Sequence, residues 1–186
     1  MIPPAQEIAS SLRAAWRLLL LDAGAMAGFN LSLAGFWRSF FAAVLALPYY
    51  VVMLWQPHAE GLIGLDAAVA AYLLGWLLFP LVAAVLAHIL RLGSNYFAYI
   101  IAFNWAGALV PQPFLLLALL HQGGVIDEGI YNTMSMVLFF VTLWYGWAIA
   151  RIGLGAGIVT ACGFVILLTL LEVLVNALLL MPGQAS

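Results

Sequence analysis

The stretch Ala67-Ala-Val-Ala-Ala-Tyr-Leu-Leu-Gly-Trp-Leu-Leu-Phe-Pro-Leu-Val-Ala-Ala-Val-Leu-Ala-His-Ile-Leu90 decides the fold. It lies between Asp66 and Arg91 and holds no Asp, Glu, Lys or Arg, with His88 its one imidazole. A helix needs about 20 mainly apolar residues to cross a hydrocarbon core of about 30 Å, and this run is long enough. Its apolar residues are continuous and do not alternate with polar ones, which argues for a spanning helix and against a strand of an outer-membrane barrel.

Four further segments repeat the pattern, at about Ser39–Trp55, Tyr96–Leu120, Tyr131–Ala150 and Leu154–Met181. The connections Gln56–Asp66, Arg91–Asn95, His121–Ile130 and Arg151–Gly153 are short, so neighbouring helices must run antiparallel. The expected fold is therefore all-α: a polytopic membrane helical bundle of five transmembrane helices in residues 36–186, preceded in residues 1–35 by an amphipathic interfacial helix and a connector.

Composition agrees. The chain of 186 residues is 67% hydrophobic and 6% charged, with mean hydropathy +1.17, whereas a soluble domain carries about 45–50% apolar and about 25% charged residues. Five arginines, no lysine and seven carboxylates leave no basic face, which excludes a nucleic-acid binder. The single Cys162 cannot form an intramolecular bridge. Leu18–Leu21 is too short for the about 7–15 apolar residues of a signal peptide, and Asp22 follows at once.

Positively charged loops stay on the cytoplasmic side. Arg13, Arg17 and Arg38 precede the first span, Arg91 follows the second and Arg151 follows the fourth, so all five fall on one side. The opposite loops hold His58, Glu60 and Asp66, and His121, Asp127 and Glu128, with no arginine. This partition predicts a multi-pass protein of a bacterial-type inner membrane with its N-terminus cytoplasmic and its C-terminus periplasmic.

Ahead of the first span, Ile8, Leu12, Ala15, Trp16 and Leu19 recur at helical spacing, with Glu7, Ser11, Arg13 and Arg17 mostly off that stripe. Such a helix either lies on the cytoplasmic leaflet or packs on the bundle itself. In the first case Trp16 sits at headgroup depth and Arg13, Arg17, Arg38 and Arg91 meet lipid phosphates, each for about 1 kcal/mol. Asp22–Gly28 reads as a flexible connector, and Asn30 or Ser32 as the cap of a short helix carrying Phe36-Trp37-Arg38.

Glu172 is the most informative candidate, because a carboxylate inside a span costs a few kcal/mol unless it faces protein or water. Thr169 and Asn176 share its helix face at i−3 and i+4. Gln112, from the third span, and Asn132, at the outer end of the fourth, are candidates to complete a polar, protonatable pocket. Pro111-Gln112-Pro113 must break the third span and free carbonyls. The alternative for each is structural: a hydrogen-bonded glutamate and a plain kink. Gly153, Gly157 and Ala161 form a small-residue ridge for close helix packing, within the chain or in a homo-oligomer, and Asn104 is read as interhelical glue. Trp76, Trp105, Trp144, Tyr145 and Trp147 lie away from the span ends and pack the bundle or line a groove for a lipid chain or isoprenoid. No group of side chains points to catalysis, a cofactor or a metal centre.

Five short-looped spans, led by Gly35-Phe36-Trp37-Arg38-Ser39-Phe40, resemble the small bacterial proteins grouped with the Yip1-like family. The likeness covers about Phe36 to Met181. Eukaryotic members carry a cytosolic Asp-Leu-Tyr-Gly-Pro motif linked to small-GTPase partners, and Met1–Asn30 contains no such string, so GTPase binding does not carry over. The resemblance implies a non-enzymatic integral membrane protein acting through partners or lipids: a subunit, scaffold or lipid-organising protein. The other expectation is a small transporter or channel component built on the Glu172 pocket. A lipid-acting membrane enzyme is a third, drawing only on the outer His and carboxylate loops.

Overall fold

A computed structural model describes residues 2–54 and 65–180, with the backbone alone for 65–67 and 175–180. Those residues form eight α-helices and no strand: α1 (Ala5–Leu19), α2 (Leu33–Ser39), α3 (Ala42–Leu54), α4 (Leu65–Ile89), α5 (Tyr96–Leu109), α6 (Pro111–Gln122), α7 (Glu128–Ile152) and α8 (Ile158–Leu180). Four runs are long and apolar enough to cross a membrane: Leu33–Leu54, Ala68–Ile89, Gly93–Gln122 and Glu128–Ile152. The first begins ahead of the expected Ser39, because α2 and α3 form one stretch interrupted at Phe40–Phe41.

The outer surfaces of these helices are what bilayer solvent requires. On α4, Leu73, Leu77, Leu81 and Val85 are all exposed. A water-soluble molecule rarely leaves so continuous an apolar face uncovered. Inward positions are taken instead by small residues such as Ala83, Ala87, Ala102, Ala106, Ala148 and Ala161, which let backbones approach where lipid removes the hydrophobic force between helices. The central element is α5: Tyr99, Ile100, Ile101, Asn104 and Trp105 are all buried on it, and it touches α1, α2, α3, α4, α6 and α7.

The break at Pro111-Gln112-Pro113 divides the third expected span into α5 and α6 at Val110. Neither proline can donate a backbone N–H. The Gln112 amide covers the break, its Nε2 donating to Ala108 O at 3.0 Å and to Leu45 O of α3 at 3.1 Å. A reciprocal pair of tyrosines joins α3 to α4: Tyr50 donates to Ala68 O at 2.6 Å, Tyr72 donates to Ala43 O, and their rings lie 4.6 Å apart.

At one end of the bundle Asn95 Nδ2 donates to Leu154 O at 3.1 Å, which ties the α4–α5 turn to the α7–α8 loop. Arg91 and Arg151 thus share an end. Phe36 packs its ring on Tyr96 and Phe97, which brings Arg38 to the same end, and Arg38 pairs with Glu7 of α1 at 2.9 Å.

α1 packs on α5 and α7. Its Ser11, Ala14, Ala15 and Leu18 are buried, and Tyr145 and Trp144 of α7 donate to Ala15 O and Leu19 O. Trp16, expected on the apolar stripe, is exposed. The segment Asp22–Gly28 is not a flexible connector. Ala23–Gly28 forms a 3-10 helix capped by Asp22, whose carboxylate accepts from Gly24 N and from Arg17 at 2.7 Å. Ser32 caps α2 by accepting from Gly35 N.

Candidate ligand cavity

Helix α8 runs from Ile158 and not from Leu154, because Gly153 ends α7 and Gly155, at φ +69°, turns the chain in the left-handed region that favours glycine. Gly153, Gly157 and Ala161 therefore do not form one ridge. A Cβ on Gly153 would press Ile149 O of its own helix at 2.9 Å and reach the Tyr99 backbone of α5 only at 3.4 Å, ordinary contact distance. Gly157 is exposed, while Ala161 is fully buried.

Glu172 stands about 21 Å along α8 from Ile158 at 1.5 Å rise per residue. There it lines a partly open cavity of about 380 Å³ formed by α3, α4, α5, α7 and α8. Tyr50, Tyr72, Trp76, Phe79, Phe103 and Leu168 supply most of its apolar wall, and Asn104, Thr142, Thr169 and Glu172 its polar points. Phe79 and Phe103 stack with centroids 3.7 Å apart.

Of the residues expected to share a pocket, Glu172 and Thr169 do so. Gln112 does not, since its amide is spent on Leu45 and Ala108. Asn132 is exposed in the first turns of α7 and does not reach the cavity. The side chain of Asn176 lies outside the described residues, as do His58, Glu60 and the side chain of Asp66. Asn104 does two things: it lines the cavity, and its Nδ2 donates to the buried Ser39 Oγ at 2.9 Å, joining α5 to α2.

Glu172 and Gly75 are exposed members of the lining, and Leu170, Val173 and Leu174 beside Glu172 are exposed too. An opening among such residues faces apolar surroundings.

Tyr50, Tyr72 and Phe103 were not expected as lining. The signal that could have pointed to the cavity is glycine: Gly75, Gly107 and Gly146 all border the space and bring no side chain to it. A Cβ added at Gly75 would meet nothing within 4 Å, and one at Gly107 would press Trp76 at 3.1 Å.

Among the described residues no three His, Cys, Asp or Glu side chains gather to hold a metal. His121 stacks on Tyr131 at 4.8 Å and its Nδ1 pairs with Ile126 O. His88 is exposed at the arginine end. Arg151 donates to Ala156 O and sits 5.9 Å from the centre of the Trp147 ring. Outside the membrane-spanning helices, the Arg17 guanidinium bonded to Asp22 holds that carboxyl below its ordinary range, with help from Gly24 N.

No family model, curated protein or solved structure matches this chain.

Proposed function

We propose that the chain is a non-enzymatic integral protein of a bacterial-type inner membrane, of the Yip1-like kind, that takes an amphipathic molecule from the bilayer into the cavity beside Glu172 and so organises lipid around itself or a partner. The observation that carries this reading is the cavity: about 380 Å³ of aromatic-lined space, within the range of about 300–1,000 Å³ usual for small-molecule sites, with its mouth among exposed apolar residues. In this reading α8 is the fifth span, the arginine end is cytoplasmic, and α1 is an amphipathic helix whose Arg13, Trp16 and Arg17 face the headgroups.

Gly75→Leu tests it. The substitution removes a poor helix former and sends a side chain into open space. Native mass spectrometry of protein released from nanodiscs should find a lipid retained by the wild type and lost from the variant. Equal retention in both, or none in either, would sink the reading.

A second reading, a small transporter or channel component, is supported by Glu172 itself. If Glu172→Gln abolished uptake of a solute into proteoliposomes while lipid retention stayed intact, the carrier reading would replace the first.

A further inference from the structure

A carboxylate within a span persists where it meets a counter-charge, a proton or water. Glu172 has no counter-charge among the described residues of this chain. The two ion pairs found there are Arg38–Glu7 and Arg17–Asp22. Arg91 and Arg151 belong to the far end, Arg13 is on α1, and the sequence holds no lysine.

Three hydroxyls of the lining are already spent on backbone carbonyls. Thr142 donates to Leu138 O at 2.9 Å, Tyr50 to Ala68 O and Tyr72 to Ala43 O. The lining thus offers an occupant the Glu172 carboxyl group together with aromatic rings. Tyr50 and Tyr72 lie 4.6 Å apart, and Trp76 follows at 6.3 Å from Tyr72. A negative group and π faces in an apolar recess recognise a positively charged organic group, since ring quadrupoles attract a cation most strongly where water is excluded.

We propose that the occupant of the cavity is a cationic amphiphile: its ammonium group meets Glu172 and the Tyr50, Tyr72 and Trp76 rings, and its aliphatic body lies along Phe79 and Phe103. This rests on the cavity being a ligand site. An anionic lipid headgroup would stand against the Glu172 carboxylate, and a neutral amphiphile leaves that carboxylate uncompensated.

Dodecyltrimethylammonium carries its charge at every pH, and dodecanol and dodecanoate serve as its neutral and anionic counterparts. Each is titrated calorimetrically into nanodiscs holding wild type, Glu172→Gln or Gly75→Leu, with empty nanodiscs as blank. The wild type should bind the cation on the order of tenfold tighter than dodecanol and should not bind dodecanoate. Glu172→Gln should erase that preference and keep dodecanol binding. Gly75→Leu should lose both. Equal affinity for cation and alcohol, with Gly75→Leu still blocking both, would overturn the cationic assignment and leave the cavity reading standing. Unchanged binding in Gly75→Leu would remove both.

Discussion

The bond between Asn104 and Ser39 offers the sharpest test of how α5 holds the N-terminal helices. Both residues are buried, at 1% and 0% exposure, and the chain of donors runs from Asn104 Nδ2 to Ser39 Oγ at 2.9 Å and from Ser39 Oγ to Phe36 O at 2.7 Å. Side-chain hydrogen bonds between membrane helices average about 0.6 kcal/mol and reach about 1.7 kcal/mol. This one belongs at the upper end, because both atoms are buried and the second bond polarises the first. A double-mutant cycle with Ser39→Ala and Asn104→Ala isolates it, since the packing lost with each side chain cancels between the arms. Unfolding by sodium dodecyl sulfate in mixed micelles, followed by circular dichroism, should give a coupling of about 1–1.7 kcal/mol. The single changes should not cost the same. Asn104→Ala leaves Ser39 still donating to Phe36 O, whereas Ser39→Ala leaves a buried amide N–H without its acceptor. A coupling inside the about 0.3–0.5 kcal/mol scatter of unrelated sites would refute the bond.

Three further outcomes are expected. In Gly35→Ala the new Cβ would stand 1.8 Å from Asn30 O; backbone must move, at a cost of about 3 kcal/mol or more, and limited proteolysis should cut faster between α1 and α2. Gln112→Leu should lower stability by about 0.6–1.7 kcal/mol by uncovering Leu45 O and Ala108 O, and Gln112→Glu, when ionised, should not rescue it because a carboxylate donates nothing; equal stability of all three proteins would refute the amide's role. Asp22 has its pKa lowered by Arg17, so any support it gives is present above its unfolded pKa near 3.8 and vanishes as pH falls through the lower folded value; melting curves of wild type and Asp22→Asn should keep a constant offset from pH 8 to pH 5, and an offset that shrinks over that range would contradict the pairing.

Length and polarity along the chain were enough to find the helices, because a span is a one-dimensional property: Ala67–Leu90 needs no partner to be apolar. The proline break was legible for the same reason, while the cap of α2 stood open between Asn30 and Ser32 until the Ser32 hydroxyl was seen to accept from Gly35 N. Which face of a span turns inward was not. Lipid tails are as apolar as leucine, so hydrophobic periodicity carries no signal there, and Gln112 and Asn132 were grouped with Glu172 by depth when their helix faces point elsewhere. The inward signal is size: on α4 Leu73, Leu77, Leu81 and Val85 are exposed while Ala68, Ala83 and Ala87 are buried. Glycine was ambiguous. Gly153 and Gly157 read as a packing ridge because the spacing fits, yet positive φ at Gly155 makes their segment a loop.

The position of α1 and the proposed fifth span bear on each other. Ser11, Ala14 and Ala15 are small enough to let α1 lie close to α5 and α7, and the hydroxyl of Tyr145 fixes it at Ala15 O, while Arg13, Trp16 and Arg17 remain on the exposed side. The two alternatives for this helix, lipid or bundle, are thus compatible: one face meets protein and the other is free for headgroups. Arg38 reaches the arginine end through Phe36 and binds Glu7 of α1, so α1, the α4–α5 turn and the α7–α8 loop are linked by side-chain contacts that owe nothing to the count of spans. From that end α8 runs 23 residues, about 34 Å at 1.5 Å rise, which exceeds a hydrocarbon layer of about 30 Å. In the proposed five-span topology such a helix, starting where Arg91 and Arg151 gather and packed beside α4 and α7, finishes at the opposite end. Under the proposed topology this places Glu172 past mid-depth, at a level where no arginine of this chain stands ready to neutralise it.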